Sequence, residues 1–132
     1  NYSKIINIEA LTMIDMARKD ILPAITTYLK ELSDTAISIK SVAPDLDLAF
    51  ETTTIAKLSK LQGSIATKID VLEEAVLEVK EISEVLAQAC AYRDKVFAAM
   101  QDLRAAVDSA EAITAAKYWP FPTYGELLFG VK

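Results

Sequence analysis

The sequence predicts an all-helical fold, an elongated antiparallel three-helix bundle that ends in an extended C-terminal docking tail. Three observations carry this. Only Pro23, Pro44 and Gly63 punctuate the chain before Pro120, so long helices are nearly forced. Apolar residues recur at three- and four-residue steps, the spacing of one helical face. The seams are rich in Ala and aliphatic residues; two helices would leave wide apolar faces wet, whereas three close a common core.

Helix one is expected over 3–41, where Leu11, Ile14, Ala17, Ile21, Ile25, Tyr28, Leu32, Ala36 and Ile39 fall on one face. Pro23 lies inside it and removes the hydrogen bond to the Lys19 carbonyl, which predicts a kink or a break there. Residues 41–45 form a connector, after which Asp45 or Asp47 caps helix two, 46–81. Ile55, Leu58, Gln62, Ile65, Ile69, Leu72, Val76 and Val79 keep a seven-residue repeat, broken only by Gln62 beside Gly63. That pair marks a close helix approach, a polar register lock or, as the favoured reading, a locally loosened turn.

No Gly or Pro separates helix two from helix three, and Ser83 is chosen as the N-cap of a third helix over 84–117. Its stripe is Leu86, Ala89, Val96, Met100, Leu103, Val107, Ala110 and Ile113, with Arg93 in line. Helices of about 35 residues would each reach roughly 50 Å.

With 132 residues and 52% hydrophobic content, the chain suits a single domain, 1–132. It opens Asn1-Tyr2-Ser3 without an initiator Met and turns helical at once, as expected of a fragment of a longer chain. The net charge is -5 and the basic residues are scattered, which argues against nucleic acid as a partner. Cys90 is the only cysteine, so no disulfide framework exists and a small core role in a reducing compartment is expected. With no membrane-length apolar run and no signal-peptide order, the expected setting is cytoplasmic, with no membrane partner.

The chain has no histidine, which removes Ser-His and Cys-His nucleophile activation and the carboxylate-histidine motif of di-iron bundles. Among the carboxylates Asp70, Glu73, Glu74, Glu78, Glu81 and Glu84, Glu74 and Glu78 share a face; the run reads as a solvated acidic surface rather than a cation site. Gly63, Gly125 and Gly130 are too dispersed to cradle phosphates. No catalytic, cofactor-binding or metal residue is expected here. Arg93 and Asp94 follow Tyr92 in a region expected to face the core, which suggests a buried, paired charge with a structural role. Arg104, beside Leu103, is a candidate tail-anchoring or interface residue.

The least ordinary stretch is the tail, 118–132. Pro120 and Pro122 push Trp119 and Phe121 into extended geometry and lower the entropy lost when the strip is pinned to a surface. Thr123 and Glu126 have capping-box spacing, so a short helix presenting Leu127, Leu128 and Phe129 should follow. The candidate docking residues are Trp119, Phe121, Tyr124, Leu127, Leu128 and Phe129, an aromatic and apolar set that needs burial. Two addresses stand equal: the end of this bundle, or another subunit or domain.

Trp119-Pro120-Phe121-Pro122-Thr123-Tyr124, followed by Glu126-Leu127-Leu128-Phe129, resembles the C-terminal end of type III glutamine synthetases. Ile8-Glu9-Ala10 with Thr12-Met13, Ile21-Leu22-Pro23-Ala24, and Met100-Gln101-Asp102-Leu103-Arg104 with Asp108 and Glu111 look like the same family. The resemblance implies a parent enzyme that joins ammonia to glutamate with ATP and Mg in a large homo-oligomer. It places that chemistry in an upstream catalytic domain, so no catalytic residue carries over to this chain. The implied partners are that domain of the same chain and neighbouring subunits, and the implied role is subunit packing. The alternative is a free-standing helical interaction module whose tail is a docking motif. A third reading, a small-molecule sensor bundle, has only Gln62 and Arg93 as inward polar candidates.

Overall fold

A computed structural model describes residues 2–122, and every regular element among them is helical. There are three long helical segments. The first is α1 (Tyr2–Met16), a π-helical turn over Ala17–Ile21, and α2 (Leu22–Val42). The second is α3 (Ala49–Lys80). The third is α4 (Val85–Ala91), a π-helical turn over Tyr92–Phe97, and α5 (Ala98–Ile113), and a single 3-10 turn, Ala116–Tyr118, follows it.

The first segment does not break at Pro23. Ile21 and Leu22 keep right-handed helical dihedrals, and the Leu22 N–H bonds the carbonyl of Ala17, five residues back. A proline ring collides with the carbonyl four residues before it in an α-helix, and the wider π-turn opens that crowded space just ahead of Pro23. Each π-turn holds one residue more than an α-turn. On α1 the buried residues are Ile6, Ala10 and Ile14; the stripe keeps Ile14 and steps back by four residues to Ala10, so Leu11, expected inside, is exposed. On the third segment Tyr92 takes the inward place expected of Arg93, and Leu86 faces out.

Of the two acids offered as caps, Asp47 acts: its carboxylate accepts from the Ala49 N–H at 2.9 Å, and α3 starts at Ala49 rather than 46. The third segment is capped by Glu84, not Ser83. Glu84 is extended, with φ -77° and ψ 126°, and its carboxylate accepts from the Ala87 N–H. The Gln88 amide donates to the Val79 carbonyl at 3.2 Å, a second bond beside that from the Ile82 N–H at 3.1 Å, and so ties the third segment to the end of α3. Gly63 is exposed on the regular helix α3, and a Cβ there would touch nothing within 4 Å, so neither a close helix approach nor a loosened turn occurs at this site. Gln62 instead reaches across to the first segment, donating to the Thr26 hydroxyl at 2.7 Å and facing the Leu22 carbonyl at 3.5 Å.

One apolar cluster runs through all three segments, with Ile25, Leu58, Ile65, Leu72, Val79, Val96 and Leu103 at its centre. Full burial of a Val, Leu or Ile is worth roughly 1.5–3 kcal/mol each, so this shared cluster, rather than helix propensity, holds the segments together. α3 packs against both α2 and α5, and α1 against α3 and the second π-turn.

Candidate docking site of the C-terminal strip

The third segment ends at Ile113, not 117, because Thr114 leaves the helix for an extended conformation, φ -98° and ψ 133°. Thr114 is buried, and its hydroxyl donates to the Ala110 carbonyl at 2.6 Å, so the polar atom of the corner is satisfied inside the apolar end of the molecule. The 3-10 turn that follows is closed by Tyr118 N–H to Ala115 and Trp119 N–H to Ala116. It carries the Tyr118 ring to 5.2 Å from that of Tyr28 on α2, tilted by 33°. The Lys117 ammonium sits 5.0 Å from the Tyr118 ring centre, a cation–π contact.

Trp119 is extended, φ -76° and ψ 128°, as a residue before proline should be. Its side chain is buried, 9% exposed, and belongs to the main core, while Phe121 packs half-buried against the same cluster. Both side chains line a groove of about 510 Å³ between the first segment and α5. Ile8, Met13 and Met16 form one wall, Leu103 and Val107 the other, and Glu9, Arg104, Asp108 and Glu111 stand along it. Trp119 and Phe121 thus lie against the chain's own core. Tyr124, Leu127, Leu128 and Phe129, with the capping-box pair Thr123 and Glu126, lie outside the described residues.

The charged side chains make surface pairs. Arg93 and Asp94 pair with each other at 2.9 Å, but both are well exposed, so the expected buried pair is a surface one. The π-turn that turns Tyr92 inward leaves the two residues after it, Arg93 and Asp94, facing solvent. Arg18 grips Glu73 with two hydrogen bonds of 3.1 Å and lies 3.9 Å from Asp70. That grip, hydrogen bonding first and charge second, holds the Glu73 carboxyl below its ordinary range and raises the guanidinium of Arg18. Lys95 approaches Glu78 at 4.0 Å. Among the described residues, no three His, Cys, Asp or Glu side chains gather as a metal site would need.

Sequence reasoning missed the Arg18–Glu73 link, which joins residues 55 positions apart and so leaves no signal in local spacing, unlike the Asp15–Lys19 pair at helical spacing. Among the described residues, no helix is long and apolar enough to cross a membrane.

Comparison with known proteins gives consistent results. A family model described as the glutamine synthetase C-terminal domain matches residues 1–40, α1 and most of α2. A glutamine synthetase of Butyrivibrio fibrisolvens is 36% identical over 132 residues, all of this chain and 19% of that protein. A type-3 glutamine synthetase of Dictyostelium discoideum is 25% identical over 135 residues, 97% of this chain and 18% of that protein. The chain therefore spans about a fifth of the length of the curated relatives it matches. No solved structure matches it. With one relative aligned from end to end and the family model on its first helices, the chain belongs to the glutamine synthetase C-terminal domain family.

Proposed function

We propose that this chain is a non-catalytic C-terminal domain of a glutamine synthetase, which ligates ammonia to glutamate with ATP, and that it supports subunit packing in a cytoplasmic homo-oligomer. On this reading ATP and Mg are held by a catalytic region elsewhere in the polypeptide. The domain meets that region and neighbouring subunits. The alignment with synthetase relatives along the whole chain carries the proposal.

The three segments are proposed to form an elongated antiparallel bundle. Arg18 meets Glu73 while Thr26, further along the first segment, meets the earlier Gln62, the order expected of opposed helices. Gln88 meets Val79 and Lys95 meets Glu78, while Ser109 and Ile113 share a hollow with Lys57 and Leu61, an opposed order again. Ile37, Val42, Leu46 and Phe50, around the connector between α2 and α3, are each more than half exposed. Neighbouring large apolar side chains left exposed in this way favour a surface covered by protein, as do Val85 and Leu86 at the start of α4.

The test uses the native polypeptide that contains this chain. Val42→Asp with Phe50→Asp should lower the assembly state seen by analytical ultracentrifugation; an unchanged assembly would sink the packing role. The purified 132-residue chain, supplied with glutamate, ammonia, ATP and Mg, should form no glutamine, and product formation would refute the non-catalytic assignment. A native reading frame with no synthetase region would favour the free-standing interaction module instead.

A further inference from the structure

The hairpin formed by the end of α2 and the start of α3 runs on past the third segment. Ser109 and Ile113 share a hollow with Lys57, Lys60 and Leu61 of α3, and at Thr114 the chain leaves the helix. α3 continues beyond that level from Lys57 back to Ala49, about 12 Å at about 1.5 Å per residue. α2 accompanies it, since Thr26 meets Gln62 and the opposed order carries α2 on to Val42. Burial falls away here: between Leu32 and Leu58 only Leu48 is buried.

We propose that the open side of this projecting hairpin seats the same side of a second copy of this chain, the two hairpins closing a four-helix bundle around Val42, Leu46 and Phe50. The inference rests on the packing role given above and deepens it by naming the surface and its occupant. Helical spacing identifies the open side. Phe50 lies seven residues before Lys57, on the face of α3 that meets Ser109 and Ile113. Val42 lies fourteen residues after Tyr28, on the face of α2 that meets Tyr118. Both continue the faces that the third segment and its terminal turn cover, past the point where that cover ends. Val42 is 87% exposed, Phe50 64%, and Leu46, in the connector between them, 57%.

A two-helix layer leaves its apolar side wet until another layer covers it, and an equivalent hairpin supplies that layer with the same residues. In a two-fold contact the row on one copy meets the same row on the other, so the apolar surfaces match without a further partner. Charge permits the approach. Lys40 and Lys57 stand near Asp45, Asp47 and Glu51, close to neutral, whereas the other end of α3 gathers Glu74, Glu78 and Glu81, and like charges set against each other repel. Trp119 and Phe121 lie in the groove between the first segment and α5, so the described strip leaves the hairpin face open. The three apolar side chains expose roughly 300 Å² per copy. With the usual share of polar atoms a pair buries about 1,000 Å², the lower limit of a specific contact, so the pairing acts alongside the other contacts of an assembly.

The experiment places p-benzoylphenylalanine at position 50 in the native polypeptide, which is irradiated, separated on a denaturing gel and mapped by mass spectrometry. A covalent dimer is expected, linked to residues 39–54 of the second copy. Val42→Asp, at an exposed position that leaves the core intact, should lower the dimer yield about tenfold by setting a charge from each copy in the apolar contact. Ile37→Asp should leave the yield in place. Ile37 is also well exposed, but it shares a hollow with Thr52, which stands two residues on from Phe50 and so across α3 from it. Links confined to one copy or made to a region outside this chain would overturn the proposal, as would the absence of a dimer or equal losses in the two variants. Links to another surface of a second copy would overturn this pairing and leave subunit packing standing; a monomeric native polypeptide in ultracentrifugation would remove both.

Discussion

Removing the indole of Trp119 tests whether the strip after helix three is part of the core or a loose appendage. A buried Trp hides about 200 Å², which at about 25 cal/mol per Å² corresponds to roughly 5 kcal/mol. Two corrections lower that figure. The unfolded chain already shields some of this area, and Trp119 lies beside an open groove, where neighbours can relax into the space left behind. Trp119→Ala should therefore cost about 3 kcal/mol, near the lower end of the range for large aromatic truncations. In a chain of this size that is a fall in Tm of about 10 °C. The assay is urea unfolding followed by far-ultraviolet circular dichroism, with m-values compared and the midpoint checked for independence of protein concentration. Because Trp119 is the only tryptophan, its emission in the unmutated protein reports the same site, and it should be blue-shifted until the cooperative transition. Lys117→Ala, which removes only the cation–π contact, should change stability by less than about 1 kcal/mol. A Trp119→Ala loss below about 1 kcal/mol at unchanged m-value, typical of an exposed site, would refute the packing argument.

Gly63→Ala should stabilise the chain by about 0.5–1 kcal/mol, read from the urea midpoint, because the glycine is exposed, helical and clear of any neighbour. Glu84→Ala should destabilise by about 0.5–1 kcal/mol through loss of the cap, whereas Ser83→Ala should leave the midpoint in place. The Glu73 carboxyl titrates below its ordinary value because Arg18 hydrogen-bonds it, so its contribution to stability is present above about pH 4.5 and lost as pH falls through the lowered value. Arg18→Gln should return the Glu73 titration, followed by NMR, toward the ordinary range and flatten this part of the acid limb; added salt should weaken the effect in the parent because both partners are largely exposed. An unmoved Glu73 titration in Arg18→Gln would count against the pairing.

The all-helical character was legible because it rests on local rules: apolar steps of three and four, and almost no punctuation. Ile14, Ile25, Leu58, Ile65, Leu72 and Leu103 were placed inward by period alone, and they are buried. The failures have two causes. Leu86 and Arg93 were assigned by extending an ideal α-helix across the π-turn at Tyr92–Phe97, where no Gly or Pro marks the change. Leu11 was assigned by a three-residue step from Ile14, where the helix buries Ala10, four residues back, instead. The Glu84 cap was missed because Ser has the stronger intrinsic preference, while the dihedrals in a connector of a few residues are decided by the two helices it joins. At the strip, the prolines made extended geometry readable, but the neighbour of Trp119 was not: Thr114 sets the corner through a bond to Ala110, and nothing in the local sequence specifies which wall the strip then meets. Gln62 was recognised as polar within a seam, and only the opposing helix shows that its partners are Thr26 and Leu22.

The two π-turns also limit which changes in length this fold tolerates. Deleting one residue within Ala17–Ile21 would let the turn close to ordinary α geometry, which at first sight relieves the helix. Because a π-turn spends one extra residue on a full rotation, that deletion would leave everything upstream at nearly the same angle, with Ile6, Ala10 and Ile14 still facing the core, and its cost would be the returning clash between the Pro23 ring and the carbonyl four residues before it. A deletion in the regular part of α1 or α5 has no such slack and would rotate one side of the helix by about 100°, the angle one residue subtends. The same slack exists at Tyr92–Phe97, where closing the turn would keep Ala91 near its present face while Met100, Leu103 and Ala110 hold the other side. Single-residue deletions within either turn should therefore be milder than deletions in the α-helices beside them. Natural variation in this domain should place one-residue differences in length at these two turns.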